Sequence, residues 1–319
     1  MIEGEMRLTI KSTARIVLLT AAILALLWLM SEKPYPQKVA LMPTGEPGMS
    51  VSVVQTTSAI NSRVTLWVFL PPNTGKKVGC VIIAPSGTPQ IWGADLGNTQ
   101  EYFPYVRAGF AVVAYSLDGS LPDGPSADQI IDAHRAFAKA GAGVEDAKAA
   151  INYIQQHIPQ IDPTRIYTAG HSSAGAEALL VAATDRRIHG CLAYCPPTDL
   201  IAEHGGKLAG LQEFIPDIRS FLINTAPSEN IHKLTCPVFL FASLGDQTIT
   251  AASVDKFAKE LKSENSHVSF VRVSNGGHYE SMINDGVPRG IEWLKSVDEK
   301  LSMKQNHDAR HSDVRHLLK

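Results

Sequence analysis

The amino-acid sequence predicts an α/β fold: a doubly wound, mostly parallel sheet of about eight strands, with helices on both faces and a short helical insertion. Three observations predict it. Short, largely apolar runs recur at residues 80–84, 110–115, 165–169, 191–194, 238–242 and 268–273. Strands apolar on both faces belong in a parallel sheet that helices cover on each side. Stretches with helical spacing of apolar residues separate these runs, the alternation of a doubly wound sheet. Before them, residues 51–57 and 63–70 alternate in polarity and are rich in β-branched residues. They read as an antiparallel pair at a sheet edge.

The elements follow in order. Residues 1–15 carry Arg7, Lys11 and Arg15 and precede an uninterrupted apolar stretch at 16–30. Fifteen helical residues cover about 22 Å, and residues 12–14 extend this to about 28 Å, close to the ~30 Å hydrocarbon layer. The stretch reads as an uncleaved transmembrane helix, because no small-x-small cleavage pattern closes it. A cleaved secretory signal is the second reading, and would give a secreted protein; a buried soluble helix is the third. Basic residues before the run predict an N-terminus inside the cytoplasm and a folded part outside. Residues 31–50, with Pro34, Pro36, Pro43 and Pro47, read as a linker. The globular part is expected at 51–303, with helices at 127–140, 144–157, 174–183, 251–262 and 288–301. Residues 200–230 are expected to form a helical cap. Residues 304–319 read as a frayed polar tail, with His307, His311 and His316 solvated.

Bulk properties narrow the function. A chain of 319 residues can bury one large core. A net charge of −2 offers no basic field for phosphates, so nucleic acid is not an expected partner. Cys80, Cys191, Cys195 and Cys236 form no CxxC pair, and Cys191 with Cys195 lacks companion ligands for zinc. No metal and no cofactor is expected. The cysteines read as small buried side chains, with a Cys191–Cys236 disulfide left open for an oxidising compartment.

In a doubly wound sheet, ligands sit beyond the carboxyl ends of the strands. After the run at 165–169 comes Gly170-His171-Ser172-Ser173-Ala174-Gly175, and then an apolar helix. A strand, a sharp turn and a helix present one hydroxyl at the apex of a strained loop, with small residues needed two before and two after it. Ser172 meets this through Gly170 and Ala174, whereas Ser173 would be flanked by His171. Ser172 is therefore the candidate nucleophile. A serine hydroxyl needs a general base to take its proton, and the base needs an acid to orient it. The expected chain order is Ser, acid, His. Asp246 follows the run at 238–242 and His278 follows the run at 268–273, both at the rim that holds Ser172. Asp199, after the preceding strand, is the competing acid. The oxyanion that develops on an attacked carbonyl needs backbone N–H donors. Ser173 supplies one. The loop Pro85-Ser86-Gly87-Thr88-Pro89 supplies the other, through Thr88 or its rival Gly87. Phe214 and Phe221 in the cap line a substrate pocket or else form the cap's own core.

These pieces resemble the prolyl-oligopeptidase and dienelactone-hydrolase branch of the α/β-hydrolases. The matching stretches are Ile161-Asp162-Pro163-Thr164-Arg165-Ile166 leading into the elbow, Cys236-Pro237-Val238 leading to Gly245-Asp246, and Gly276-Gly277-His278. The resemblance implies an α/β-hydrolase fold and a Ser172–Asp246–His278 triad. Ala174 replaces the usual glycine, and Ser86 stands where many relatives carry histidine. The chain leaves no room for the gating β-propeller of the oligopeptidases. The expectation is thus a serine hydrolase acting on small carboxylic esters, with a membrane-tethered peptidase acting on short peptides as the alternative. A non-catalytic binding protein on the same fold is a third reading, against which the intact Ser, Asp and His set argues.

Overall fold

The computed structural model describes residues 48–97 and 100–317. The expected membrane helix at 16–30 and most of the linker lie outside the described residues. Among the described residues, no helix is long and apolar enough to cross a membrane.

The sheet has eight strands: β1 (Ser50–Thr57), β2 (Arg63–Leu70), β3 (Val78–Ile83), β4 (Ala111–Tyr115), β5 (Ile161–His171), β6 (Ile188–Tyr194), β7 (Val238–Ser243) and β8 (Val268–Val273). Their spatial order is β1-β2-β4-β3-β5-β6-β7-β8. β1 pairs antiparallel with β2, and β2 pairs antiparallel with β4. The other neighbours, from β4 through β8, are parallel. The alternating strands thus sit at one edge, as their half-polar pattern requires. β3, β4, β6 and β7 lie inside and are apolar on both faces.

The helices are α1 (Phe103–Arg107), α2 (Ala127–Lys139), α3 (Val144–His157), α4 (Ser173–Thr184), α5 (Leu200–His204), α6 (Leu208–Gln212), α7 (Ile218–Thr225), α8 (Ala251–Glu264), α9 (His278–Ser281) and α10 (Val287–Leu317). α2 starts at a capping box, in which the Ser126 hydroxyl accepts from Gln129 N–H and the Gln129 side chain accepts from Ser126 N–H. α8 starts on Thr250, whose hydroxyl accepts from Ser253 N–H. One face of the sheet packs Ile151, Leu179 and Leu261 from α3, α4 and α8. The other packs Tyr105 from α1 and Leu294 from α10. Asp298 joins α10 to β5: its carboxylate accepts from Arg165, which pairs with it at both oxygens, and from the Tyr167 hydroxyl at 2.7 Å.

One expectation changes. The tail does not fray at Met303, because α10 continues to Leu317, through a stretch that contains neither proline nor glycine. A π-turn at Met282–Gly286 joins α9 to α10, an irregularity that no periodicity signals. The cap forms from α5, α6 and α7 with 3₁₀ turns at Gly205–Lys207 and Pro227–Lys233. Its Leu200, Leu208, Leu211, Ile218 and Leu222 pack on Ile91, Trp92 and Ile130, so it sits over the loop after β3 and over α2.

Candidate active site

β5 ends at His171 and α4 begins at Ser173, so Ser172 alone makes the turn. Its backbone is held at φ +55° and ψ −127°, a region that side chains other than glycine rarely adopt. Three hydrogen bonds hold it there. Ser172 N–H donates to Tyr194 O on β6 at 2.9 Å, and Ser172 O accepts from Gly175 N–H at 2.8 Å and from Ala176 N–H at 3.2 Å. Such strain costs of order 1–3 kcal/mol and persists where the surroundings over-determine it. The close approach explains Gly170: a Cβ there would lie 2.1 Å from Ala174 O. The Ser172 hydroxyl does not cap α4, so it stays available at the helix's positive end.

Ser243 at the end of β7 draws two loops together by donating its hydroxyl to Gly276 O at 2.7 Å and to Asn275 O at 3.1 Å. Gly245 packs so closely on Gly276 that a Cβ would meet its carbonyl oxygen at 2.7 Å. These contacts bring Asp246, three residues past β7, to His278 at the start of α9. His278 Nδ1 lies 2.6 Å from Asp246 Oδ2. Asp246 Oδ1 accepts from Thr248 N–H at 2.7 Å and from Ile249 N–H at 2.9 Å. Burial alone would push the Asp246 carboxyl up. The hydrogen bond and charge of His278, with the two backbone donors, outweigh that and hold it below the usual carboxylate range. Asp246 is therefore ionised, and its pair with His278 fixes the proton of a neutral imidazole on Nδ1. His278 Nε2 is buried and has no hydrogen-bond partner.

Asp199 does other work. Its carboxylate accepts from Ala202 N–H at 3.0 Å and caps α5. Asp255 pairs with Arg272. The acid brought to His278 is Asp246.

The proposed oxyanion loop lies against the elbow, since Thr88 N–H donates to Ser173 Oγ at 3.1 Å. That bond modifies the expectation for Thr88. Its N–H reaches a substrate oxyanion only when the Ser173 hydroxyl turns away, whereas Gly87 carries no such commitment. Phe221 packs edge-on against His134 and Phe137, with centroids at 5.0 Å and 6.0 Å. Phe214 packs with it in the cap's apolar cluster. Both belong to the cap's own core.

Sequence reasoning missed three groups beside this site. His171 reads as a steric neighbour, yet its Nε2 lies 3.0 Å from His278 O and its ring centroid 4.4 Å from that of His278. Burial, and then the nearby His278, push the His171 imidazole down to about 3. It is therefore neutral and donates through Nε2, leaving Nδ1 as a buried, unpartnered acceptor. Its place next to the candidate nucleophile was the available signal. Cys195 immediately follows β6, with φ +46° and its thiol against Asp246. The strand-end rule pointed there too. Glu101 lines a small cavity with Gly170 and Tyr194 behind the elbow, and burial pushes its carboxyl up to about 7. Nothing in the sequence flagged it.

A sheet of this order with an elbow of this kind is the α/β-hydrolase architecture. The family is narrower than the fold. Residues 98–311, more than half of the chain, match the prolyl oligopeptidase family, and the chain belongs to it. Among solved structures, the Pyrococcus horikoshii acylaminoacyl peptidase aligns with a TM-score of 0.63 and 17% identity, covering 80% of this chain and 42% of that one. Puromycin hydrolase aligns with a TM-score of 0.64 and 14% identity, covering 79% and 40%. A Pyrococcus furiosus esterase aligns with a TM-score of 0.55 and 16% identity, covering 78% and 93%. The chain thus spans about two fifths of the acylaminoacyl peptidase and of puromycin hydrolase. No curated protein sequence matches it.

Proposed function

We propose that the protein hydrolyses small carboxylic esters through Ser172, His278 and Asp246. The observation that carries this reading is the 2.6 Å pairing of His278 Nδ1 with Asp246 Oδ2, beside a serine held at positive φ. Asp246 keeps the proton on Nδ1, so Nε2 presents its lone pair as the base. Nε2 takes the Ser172 hydroxyl proton as Oγ attacks the acyl carbon. Ser173 N–H, with Gly87 or Thr88 N–H, receives the developing oxyanion, each donor contributing about 3 kcal/mol in the transition state. The histidinium then returns the proton to the departing alcohol. Water, activated by the same nitrogen, releases the acid from Ser172.

The ester reading draws its support from the esterase neighbour. The esterase neighbour is matched over nearly its whole length, whereas the peptidase neighbour is matched over less than half. Family membership supports the second reading, a hydrolase of short peptides. A matched panel decides between them: p-nitrophenyl acyl esters against acyl- and aminoacyl-p-nitroanilides of the same acyl group. The esters should show the larger kcat/KM relative to their uncatalysed rates. Anilides turned over with the larger acceleration would make the protein a peptidase.

The apolar run at 16–30 with its basic flank supports a single-pass tether that places this domain outside the cytoplasm. Alkaline carbonate washing of membranes should leave the full chain in the pellet. Its release into the supernatant would remove the tether from the proposal.

A further inference from the structure

The ester-cleaving mechanism uses His278 but neither of the two other metal-ligating side chains packed on it. His171, Cys195 and His278 each offer a ligand atom, and the three atoms lie within 4.8 Å of one another. All three residues are buried, at 0%, 1% and 5% exposure. Buried polar atoms ordinarily have partners, and each orphan asks for an explanation. Two orphans fall here together, His171 Nδ1 and His278 Nε2.

Two imidazoles and a thiol are the donor set of a tetrahedral zinc site. Zinc holds nitrogen at about 2.0–2.1 Å and thiolate sulfur at about 2.3 Å, which puts neighbouring ligand atoms roughly 3.3–3.7 Å apart. Donors already within 4.8 Å need only draw in by about 1 Å. Charge also balances. A thiolate at Cys195 and the Asp246 carboxylate, against which the thiol lies, together offset the two positive charges. The thiol proton leaves to water as the sulfur–metal bond forms.

We propose that His171, Cys195 and His278 form an inhibitory site for a thiophilic divalent cation, zinc above all. Inhibition follows whichever nitrogen His278 supplies. Through Nε2 it loses the lone pair that accepts the serine proton. Through Nδ1 it loses Asp246 and the tautomer that Asp246 enforces. The inhibition rests on the role given to His278 above, whereas the binding of the cation does not.

The test uses the full chain, with Co²⁺ as a spectroscopic probe and Zn²⁺ as its competitor. Co²⁺ should raise a thiolate-to-cobalt charge-transfer band in the near ultraviolet, and Zn²⁺ should abolish it. Zn²⁺ should also slow fluorophosphonate labelling, reversibly with a chelator, and the loss of one ligand should weaken that effect roughly tenfold or more. In Cys195→Ser the charge-transfer band should vanish, and Zn²⁺ should slow labelling far less relative to the variant's own metal-free rate. Cys195→Ala is run beside it, and metal-free labelling of each variant certifies the fold. No band in the wild type overturns the proposal, as does a band that survives in both variants. A wild type that shows the band but does not label without metal keeps the site and sinks the hydrolase reading. One that labels but shows no band does the reverse.

Discussion

Ser172→Ala is expected to end labelling by a fluorophosphonate and to lower ester turnover by on the order of 10⁶-fold, since removal of a triad nucleophile has effects of that size. At about 1.4 kcal/mol per decade this is roughly 8 kcal/mol of transition-state stabilisation. The residual rate would come from the oxyanion donors and binding alone. The backbone supplies an internal control. Ser172 sits at φ +55° because Tyr194 O, Gly175 N–H and Ala176 N–H hold it there. Alanine keeps that strain, so Ser172→Ala should melt close to the parent. Glycine relieves it, so an equally inactive Ser172→Gly should melt no lower, despite glycine's entropic cost of about 0.5–1 kcal/mol. Labelling that persists in Ser172→Ala would move the nucleophile to Ser173. A folded parent that never labels would remove the hydrolase reading altogether.

The legible parts of this protein are those that local pattern determines. The continuous apolar runs located β3, β4, β6 and β7, because a strand buried on both faces has no choice of composition. Alternation at 51–57 located β1 for the opposite reason. The site was legible through order: a serine between small residues after one strand, then an acid and a histidine after later strands. What escaped depends on three-dimensional closure. The packing of Gly245 on Gly276, so close that a Cβ would meet its carbonyl oxygen at 2.7 Å, brings Asp246 to His278, and no spacing along the chain states it. The bond from Thr88 N–H to Ser173 Oγ joins residues 85 positions apart and alters which donor faces the substrate. His171 and Cys195 looked like fillers, since their chemistry appears only when β5, β6 and α9 meet. Phe214 and Phe221 were ambiguous because a cap core and a pocket wall use the same residues. The rings of His134 and Phe137 resolve Phe221.

Asp246→Asn should lower turnover by up to about 10⁴-fold while leaving the fold and the Ser172 hydroxyl in place. The loss is specific to proton placement. Oδ1 accepts from Thr248 N–H and Ile249 N–H, so an asparagine must keep its oxygen there. Its amide N–H then faces His278 Nδ1, where the carboxylate accepted at 2.6 Å. Two donors cannot share that line, so the imidazole shifts its proton to Nε2 and points a donor, not a lone pair, at Ser172. The expected signature is a fall in kcat and kcat/KM together with labelling slowed in proportion, because the change acts on the step that makes the nucleophile. Asp199→Asn is the matched comparison. Asparagine caps a helix as well as aspartate does, so the bond to Ala202 N–H survives and turnover should stay near the parent's. If Asp199→Asn collapses turnover while Asp246→Asn retains it, the acid has been misassigned, and the 2.6 Å pairing is structural only.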